Sequence, residues 1–258
     1  MANDSSSSPS SEIRIADDAA SLNRAAVDEF ARCARNAIDA RGKFCVALAS
    51  GSTPRGVYSL LAEDDQAAQH ANSRRLPWDK VFFFFGDERH VPPTDVESNY
   101  RMASEALLSK VPIPTANIFR VMAEQDANSA ATQYEDTLRS LFQLGANQWP
   151  RFDLIFLGIG PDGHTASLFP DSPALKESSR MVAANWVEKF QSYRITFTFP
   201  VLNHAEEVVF LVSGDSKAEI ILDILQGQRK DAYPCQHVHP VSGKLLWMLD
   251  RGAAKLLA

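Results

Sequence analysis

Asp162 and His164 lie two residues apart in a glycine-rich stretch that directly follows an apolar run. An acidic side chain beside a histidine can orient the imidazole and raise its basicity, which suits proton-transfer chemistry. The apolar run, residues 152–157, has the length of a buried strand, and Gly160 and Gly163 break any regular element after it. Open α/β sheets place their chemistry in such loops. The competing interpretation is a histidine that only packs or caps a helix.

Three further apolar runs also end in loops that carry reactive or charged side chains. These loops have the sequences SGSTP, GDERH and SGDSK, at residues 50–54, 86–90 and 213–217. The carboxyl ends of parallel strands lie together at one edge of a sheet, so the four loops are expected to meet. The charged run in GDERH could supply a further acid and cation, and the alternative is a solvated surface run.

The first of these loops has the features of a phosphate site. It offers hydroxyl groups, a flexible glycine and free backbone N–H groups at a helix start, from Ser50, Gly51, Ser52 and Thr53. Thr53 before Pro54 predicts an N-cap and a first helical residue. Lys217 at a predicted helix start and Arg194 at a predicted strand start can each pair with a phosphate. The alternatives are an ordinary capped helix and two solvated charges.

Two other motif matches fail on their context. Residues 158–163 fit the dinucleotide pattern G-x-G-x-x-G, but Pro161 interrupts the turn and residues 168–171 end any following helix early. Ser167 follows His164 by one turn, but no G-x-S-x-G elbow is present. The sequence therefore favours neither a dinucleotide site nor a serine hydrolase.

A metal site is also not predicted. Cys235, His237 and His239 alternate with other residues, but no fourth ligand or wider-spaced pair accompanies them, and prolines flank the segment. An exposed loop is the better interpretation. The three cysteines of the chain lack motif spacing, which predicts reduced core thiols in a cytoplasmic protein.

Length, composition and charge describe an ordinary globular chain. At 258 residues with a net charge of −6, it is not expected to bind nucleic acid, and no apolar run has the length of a membrane helix. Residues 1–11 are serine-rich and lack a secretory pattern, so we predict a disordered tail followed by a single α/β domain at residues 12–258.

Strand and helix patterns alternate nearly throughout. This predicts a doubly wound, Rossmann-like α/β fold with a mostly parallel sheet and helices on both faces. The predicted strands lie at residues 13–15, 44–49, 81–85, 118–121, 152–157, 181–184, 193–199, 208–212 and 245–249. The predicted helices lie at residues 22–40, 53–62, 98–108, 129–142, 218–225 and 250–257, with 64–75 as a polar surface excursion.

Five separated stretches together resemble the 6-phosphogluconolactonases, within the larger family that includes glucosamine-6-phosphate deaminase. They are ASGSTPRGVY (49–58), FFGDERHVPPTDVESNYRMA (84–103), FDLIFLGIGPDGHTASLFP (152–170), RITFTFPVLNHA (194–205) and SGDSKA (213–218). The resemblance implies hydrolysis of 6-phospho-D-glucono-1,5-lactone in the oxidative pentose phosphate pathway, without metal or cofactor. It implies a small-molecule lactone as the partner. We expect a monomer or weak homodimer.

The resemblance also implies roles for individual residues. His164 resembles the general base, Asp162 its neighbouring acid, and Asp87 a residue lining the pocket. Residues 50–53, Arg194 and Lys217 resemble the phosphate site. Arg89 resembles a cation that contacts the substrate, at either its phosphate or its lactone end.

Lactone hydrolysis passes through an anionic tetrahedral oxygen, which needs nearby N–H groups or a cation. The backbone N–H groups of the turn at Gly160 and Gly163 are the candidate donors for this oxyanion. A lactone carbonyl is already electrophilic, so a positioned water and a base suffice without a covalent nucleophile.

Two alternatives differ from the lactonase in a testable way. In the deaminases the histidine loop continues into Asn-Glu-Pro, whereas Phe169 precedes Pro170 here, which favours the lactonase. A non-catalytic sugar-phosphate-binding module is the third possibility. The presence of His164 and Asp162 and the lack of a DNA-binding segment count against it.

Overall fold

The centre of the fold is a six-stranded parallel sheet, seen in a computed structural model that describes residues 11–71, 75–229 and 231–258. Its strand order is β1-β9-β8-β5-β2-β3. A second sheet has three antiparallel strands in the order β4-β7-β6. The strands are β1 (Glu12–Ala16), β2 (Phe44–Leu48), β3 (Val81–Phe85), β4 (Asp87–Arg89), β5 (Leu154–Leu157), β6 (Val182–Val187), β7 (Ser192–Phe197), β8 (Glu207–Val212) and β9 (Lys244–Asp250).

Helices cover the parallel sheet on both faces, as the doubly wound prediction requires. They are α1 (Ala19–Arg41), α2 (Ser52–Ala71), α3 (Asn99–Ala103), α4 (Ala127–Leu141), α5 (Phe199–Asn203), α6 (Ala218–Gln226) and α7 (Arg251–Ala254). Helix α1 begins at the N-cap Asp18, which accepts a hydrogen bond from Ser21 N, and ends at the left-handed Gly42.

Strand β3 shows why both faces of the sheet are buried. Its side chains alternate, so that Phe83 and Phe84 point to opposite faces. Phe83 belongs to the core cluster that contains Phe30, from α1. Phe84 belongs to the other cluster and packs edge-on against Phe152, with ring centroids 5.1 Å apart. Each buried phenylalanine contributes up to about 3 kcal/mol of hydrophobic stabilisation, so both layers are held to the sheet.

The second sheet was not predicted as a unit. Its first strand, β4, has three residues with the sequence Asp-Glu-Arg, and a charged run this short is indistinguishable from a loop by its pattern. Gly86 joins the two sheets, because its N–H donates to Leu48 O at 3.0 Å and its carbonyl accepts from Phe197 N at 2.8 Å. The second sheet is therefore attached directly at the carboxyl end of the first.

Two local predictions were wrong. Residues 64–71 are not a surface excursion but the second half of α2, which is held by the buried Asp65 through Trp78 Nε1 at 2.8 Å and through Arg75. Residues 118–121 are not a strand, since Ile118 forms only an isolated bridge with Phe83. The predicted tail at residues 1–11 lies outside the described residues apart from Ser11. None of the described helices combines the length and apolarity needed to cross a membrane.

Candidate active site

A pocket lies where the loops after β2, β3, β5 and β8 meet at the carboxyl edge of the parallel sheet. It brings together most of the candidate residues, as the alternation of strands and helices predicts. Those that line it are Ser50, Gly51, Ser52, Thr53, Asp87, Gly160, His164 and Lys217. Asp162 is bonded to the pocket residue His164, whereas Arg89 and Arg194 lie on the neighbouring antiparallel sheet.

His164 is held on one edge and on one face. Its Nδ1 lies 2.5 Å from Asp162 Oδ1, and its ring stacks on Phe169 with centroids 4.1 Å apart. Partial burial opposes ionisation of Asp162, but the hydrogen bond from His164 outweighs it and lowers the Asp162 pKa. An ionised carboxylate only accepts, so Nδ1 donates and a neutral imidazole keeps Nε2 as its basic nitrogen.

Gly160 makes room for this pair. A Cβ atom at Gly160 would lie 2.0 Å from both Cε1 and Nδ1 of His164 and 2.9 Å from Asp162 Oδ1. The imidazole and the carboxylate therefore occupy the space that a side chain at this position would take. The φ of Gly160 is not in the left-handed region, so backbone conformation does not require glycine here. The requirement comes from the close approach of the two side chains.

The two predicted oxyanion donors are not available. Gly160 N–H donates to His164 O at 2.9 Å, and Gly163 N–H donates to Gly160 O at 3.1 Å. These bonds close the turn that presents Asp162 and His164. Because each backbone N–H is already used, the turn shapes the site but supplies neither group to an anionic oxygen.

The Cys235 segment supports the same turn from outside. Cys235 N–H donates to Gly163 O at 3.0 Å, and Tyr233 packs where a Gly163 Cβ would lie. Cys235 is buried, which agrees with the prediction of core thiols and contradicts the prediction of an exposed loop, whereas His237 and His239 are exposed. Cys235 therefore faces the fold and has a packing role.

Asp87 is buried and bonded on both carboxylate oxygens. Ser167 Oγ donates to Oδ2 at 2.6 Å, and Asn99 Nδ2 contacts Oδ1 at 3.2 Å and the Asp87 carbonyl at 2.9 Å. Ser167 is thus committed to Asp87 rather than to His164. The neighbouring Glu88 turns away and accepts from the N–H groups of Asn99 and Tyr100, which anchors the start of α3.

Lys217 places a cation at the pocket without a matching carboxylate. Its Nζ donates to Ile159 O at 2.7 Å, and none of the described acidic groups lies within ion-pair distance of it. Burial lowers the Lys217 pKa, which marks a partly desolvated charge. Ser52 and Thr53, in the first turn of α2, line the same pocket, and backbone N–H groups at a helix start have no acceptor within their helix. An anion between them would satisfy both features.

Asp250 holds the loop before Lys217, and its removal is expected to lower stability. It accepts from Gly214 N at 3.0 Å and Ala253 N at 2.7 Å, and also from Ser213 Oγ. Asp250→Ala should reduce the free energy of unfolding by about 1–3 kcal/mol at neutral pH, because a cap and charged hydrogen bonds are lost. Denaturant titration measures this change.

The pH dependence of this effect has a definite sign. Burial opposes ionisation of Asp250, but its hydrogen bonds outweigh burial and lower its pKa below that of the unfolded chain. Its stabilisation is therefore complete above the unfolded pKa and is lost as the pH falls through the folded pKa. The difference between wild type and Asp250→Ala should shrink accordingly in acid. The exposed Asp17, paired with Arg251, is the control; an equal loss in Asp17→Ala would contradict the assignment.

Arg89 and Arg194 form a pair of like charges beside the pocket. They lie directly opposite each other on β4 and β7, so their side chains leave the sheet on the same face. Burial, and then the charge of Arg89, lower the Arg194 pKa. Arg89 Nη1 donates to Glu97 O at 2.5 Å, and neither guanidinium forms an ion pair within the described part of the chain. The prediction that Arg194 begins its strand was wrong, since it is the third residue of β7.

Several residues that build the site were missed from sequence. Asn99 and Ser167 bond Asp87, and Phe169 supports the imidazole of His164. In the sequence, Phe169 separates this chain from the deaminases but does not indicate the stack on His164. Ser98 and Asn99 are residue types that favour a helix start. This was the signal in the sequence for the segment whose N–H and amide groups bind Glu88 and Asp87.

Together these features define an α/β protein with a histidine–aspartate pair and cationic groups at one sheet edge. A family model described as glucosamine-6-phosphate isomerases/6-phosphogluconolactonase matches residues 17–247. A 6-phosphogluconolactonase from Synechocystis sp. is 41% identical over 223 residues, covering 86% of this chain and 88% of the relative. One from Homo sapiens is 40% identical, covering 84% and 82%. The chain belongs to the glucosamine-6-phosphate isomerase/6-phosphogluconolactonase family.

Solved structures share the whole fold. A 6-phosphogluconolactonase from Trypanosoma cruzi superimposes with a TM-score of 0.83 at 28% identity, covering 97% of this chain and 98% of the other. A monomeric glucosamine-6-phosphate deaminase gives a TM-score of 0.77 at 20% identity, covering 95% and 99%. The second likeness concerns the fold alone. The architecture is therefore common to both activities, and the site residues must distinguish them.

Proposed function

We propose that this protein hydrolyses 6-phospho-D-glucono-1,5-lactone to 6-phospho-D-gluconate, with His164 as the general base. The observation that carries the proposal is that His164, bonded to Asp162, lines one pocket with Lys217 and the first turn of α2. The pocket thus offers a base for the reaction and a cation and helix start that suit a phosphate. The relatives at about 40% identity are named 6-phosphogluconolactonases, which supports the same substrate.

In this mechanism Nε2 of His164 removes a proton from a water molecule as the water oxygen attacks the lactone carbonyl carbon. Asp162 keeps the Nδ1 proton in place and stabilises the imidazolium that forms. The tetrahedral intermediate then collapses, the bond to the ring oxygen breaks, and the imidazolium returns a proton to that oxygen. The new carboxylic acid loses its proton to solvent. The phosphate anchor fixes the sugar and so lowers the entropic cost of the attack.

The anionic oxygen of the intermediate needs a partner other than the turn. Since the N–H groups of Gly160 and Gly163 are used within the turn, cations are the alternative. We propose Arg89 and Arg194 as substrate contacts, because their like charges are side by side and an anion would relieve the repulsion. Asp87 lies on the same strand as Arg89 and lines the pocket with a buried carboxyl group.

The direct test supplies two substrates separately. Freshly prepared 6-phosphogluconolactone is expected to be hydrolysed well above its spontaneous rate, and glucosamine 6-phosphate is expected to release no ammonia. Phe169 favours this outcome, since it occupies the place of the deaminase glutamate and stacks on His164. Ammonia release would replace the proposal by the deaminase. Binding of both sugars without turnover would replace it by a binding module.

Lys217→Met is expected to raise KM by roughly 10–100-fold with little change in kcat. A hydrogen bond to a charged group contributes about 1.5–3 kcal/mol, and the lost contact is to the phosphate rather than to the reacting carbon. Steady-state kinetics with the spontaneous rate subtracted measure the effect. Lys110→Met, at an exposed lysine outside the pocket lining, is the control. An unchanged KM in Lys217→Met would remove this residue from the phosphate site.

A further inference from the structure

The tip of the β6–β7 hairpin contacts the two side chains that hold His164. Lys189 Nζ lies 3.7 Å from Asp162 Oδ2, the carboxylate oxygen that His164 does not use. The next residue, Phe190, packs edge-on against Phe169 with centroids 5.7 Å apart. Two consecutive residues therefore contact both Asp162, which bonds the edge of the imidazole, and Phe169, which stacks on its face.

The tip is a turn closed by its own hydrogen bonds. Residues Glu188–Phe190 form a single 3₁₀ turn that ends at Gln191, whose φ of 47° is left-handed. The Glu188 carboxylate accepts from Trp186 Nε1 at 2.8 Å and from Gln191 Nε2 at 2.7 Å. These bonds lie within the hairpin and fix the shape of its turn. The side chains of Lys189 and Phe190 are what connect it to the histidine loop.

Stability does not explain these two side chains. The Lys189 side chain is 60% exposed and Phe190 is 45% exposed, so both keep a large part of their surface in water. An exposed ion pair contributes little to folding. Phe190 also has the guanidinium of Arg194 5.1 Å from its ring centroid, so it lies between a proposed substrate contact and Phe169. The tip is placed to act on the site rather than on the core.

We propose that Lys189 and Phe190 are positioning residues that fix the imidazole of His164 through Asp162 and Phe169. The role rests on the proposed lactone hydrolysis. Lys189 limits rotation of the Asp162 carboxylate by engaging its second oxygen. Phe190 limits tilting of Phe169, and with it the ring that stacks on Phe169. Base catalysis depends on sub-ångström placement, so loosening either support lowers kcat.

Kinetics on single variants are the first test. Lys189→Met is expected to lower kcat about two- to fivefold, and Phe190→Ala about two- to tenfold, from the usual strengths of an exposed ion pair and an aromatic pair. For Lys189→Met, KM should stay within about twofold, since Lys217 and the first turn of α2 lie on other loops. Phe190→Ala also removes a contact of Arg194, so kcat alone is the readout for that variant. Lys189→Arg should restore most of the loss, and Lys110→Met should match wild type. A change in KM alone would overturn the proposal.

A double-mutant cycle separates positioning from a general structural effect. If Lys189 acts through Asp162, adding Lys189→Met to Asp162→Asn should produce no further loss of kcat. A loss as large as in the wild-type background would overturn the proposed route. The same cycle applies to Phe190→Ala in a Phe169→Leu background. Equal melting temperatures for the single variants and wild type would support a role outside folding.

A measurement without turnover keeps this inference separate from the proposed function. In the ligand-free protein, the Nδ1 proton of His164 should be visible by NMR because it is bonded to Asp162. Its exchange with solvent should be faster in Lys189→Met and Phe190→Ala than in wild type or Lys110→Met. Faster exchange in a protein without lactonase activity would refute the proposed function alone. Unchanged exchange in an active enzyme would refute the positioning role alone.

Discussion

Replacement of His164 by asparagine is expected to lower kcat for lactone hydrolysis by about 10²–10⁴-fold, the usual contribution of a positioned base. Asparagine can place an amide nitrogen near the position of Nδ1 and so keep the contact with Asp162. It has no basic nitrogen where Nε2 lies. The variant therefore removes the proton acceptor while leaving the turn closed.

Binding and folding should survive this change. The groups proposed to hold the phosphate, Lys217 and the first turn of α2, are untouched, so the affinity for 6-phosphogluconate should stay within about threefold in a calorimetric titration. His239→Asn, at an exposed histidine away from the pocket lining, is the matched control and should retain full activity. Undiminished turnover in His164→Asn would remove the base assignment.

Replacement of Gly160 by alanine is expected to lower kcat by roughly 100-fold, without any catalytic side chain being altered. The added methyl group would lie 2.0 Å from Nδ1 and Cε1 of His164, so the imidazole must move, and a misplacement of about 1 Å costs this much in rate. Asp162 is also displaced, since its Oδ1 lies 2.9 Å from the same methyl group. Single-turnover kinetics at saturating lactone measure the effect on the chemical step.

Gly158 provides a control in the same loop. A Cβ atom there would have Ser50 O, at 3.7 Å, as its nearest neighbour, which is an ordinary contact, and its φ is not left-handed. Gly158→Ala should therefore keep kcat within about threefold of wild type. Equal losses in the two variants would mean that loop flexibility, and not space for the imidazole, explains the requirement for glycine. A structure of Gly160→Ala would show the displaced ring directly.

The parallel sheet and its loops were predictable because each strand and the loop after it are marked by residues adjacent in sequence. An apolar run followed by glycine marks a buried strand and its end, and four such ends converge as parallel sheets require. The spacing of Asp162 and His164 likewise placed both in one turn. The antiparallel sheet was not predictable, since β4 consists of three charged residues whose strand character arises only from pairing with β7.

The finer geometry of the site depends on distant segments. Phe169 stacks on His164 because residues 165–169 fold back toward the histidine. No pattern of residue types in this segment predicts that path of the backbone. Arg89 and Arg194 lie opposite each other because of the register between β4 and β7, two strands far apart in sequence. The oxyanion prediction failed for a related reason. Composition shows that Gly160 and Gly163 have N–H groups, but only the folded turn shows where those groups donate.

The position of β9 in the central sheet has a consequence for how the protein is made. It is the latest strand in the sequence, yet it pairs with β1 on one side and β8 on the other. Until residues 244–250 have left the ribosome, β1 has no partner strand and β8 keeps an open apolar edge. During synthesis that edge is therefore open to pairing with other chains. Loss of the last strand by truncation would divide the sheet from within rather than shorten it.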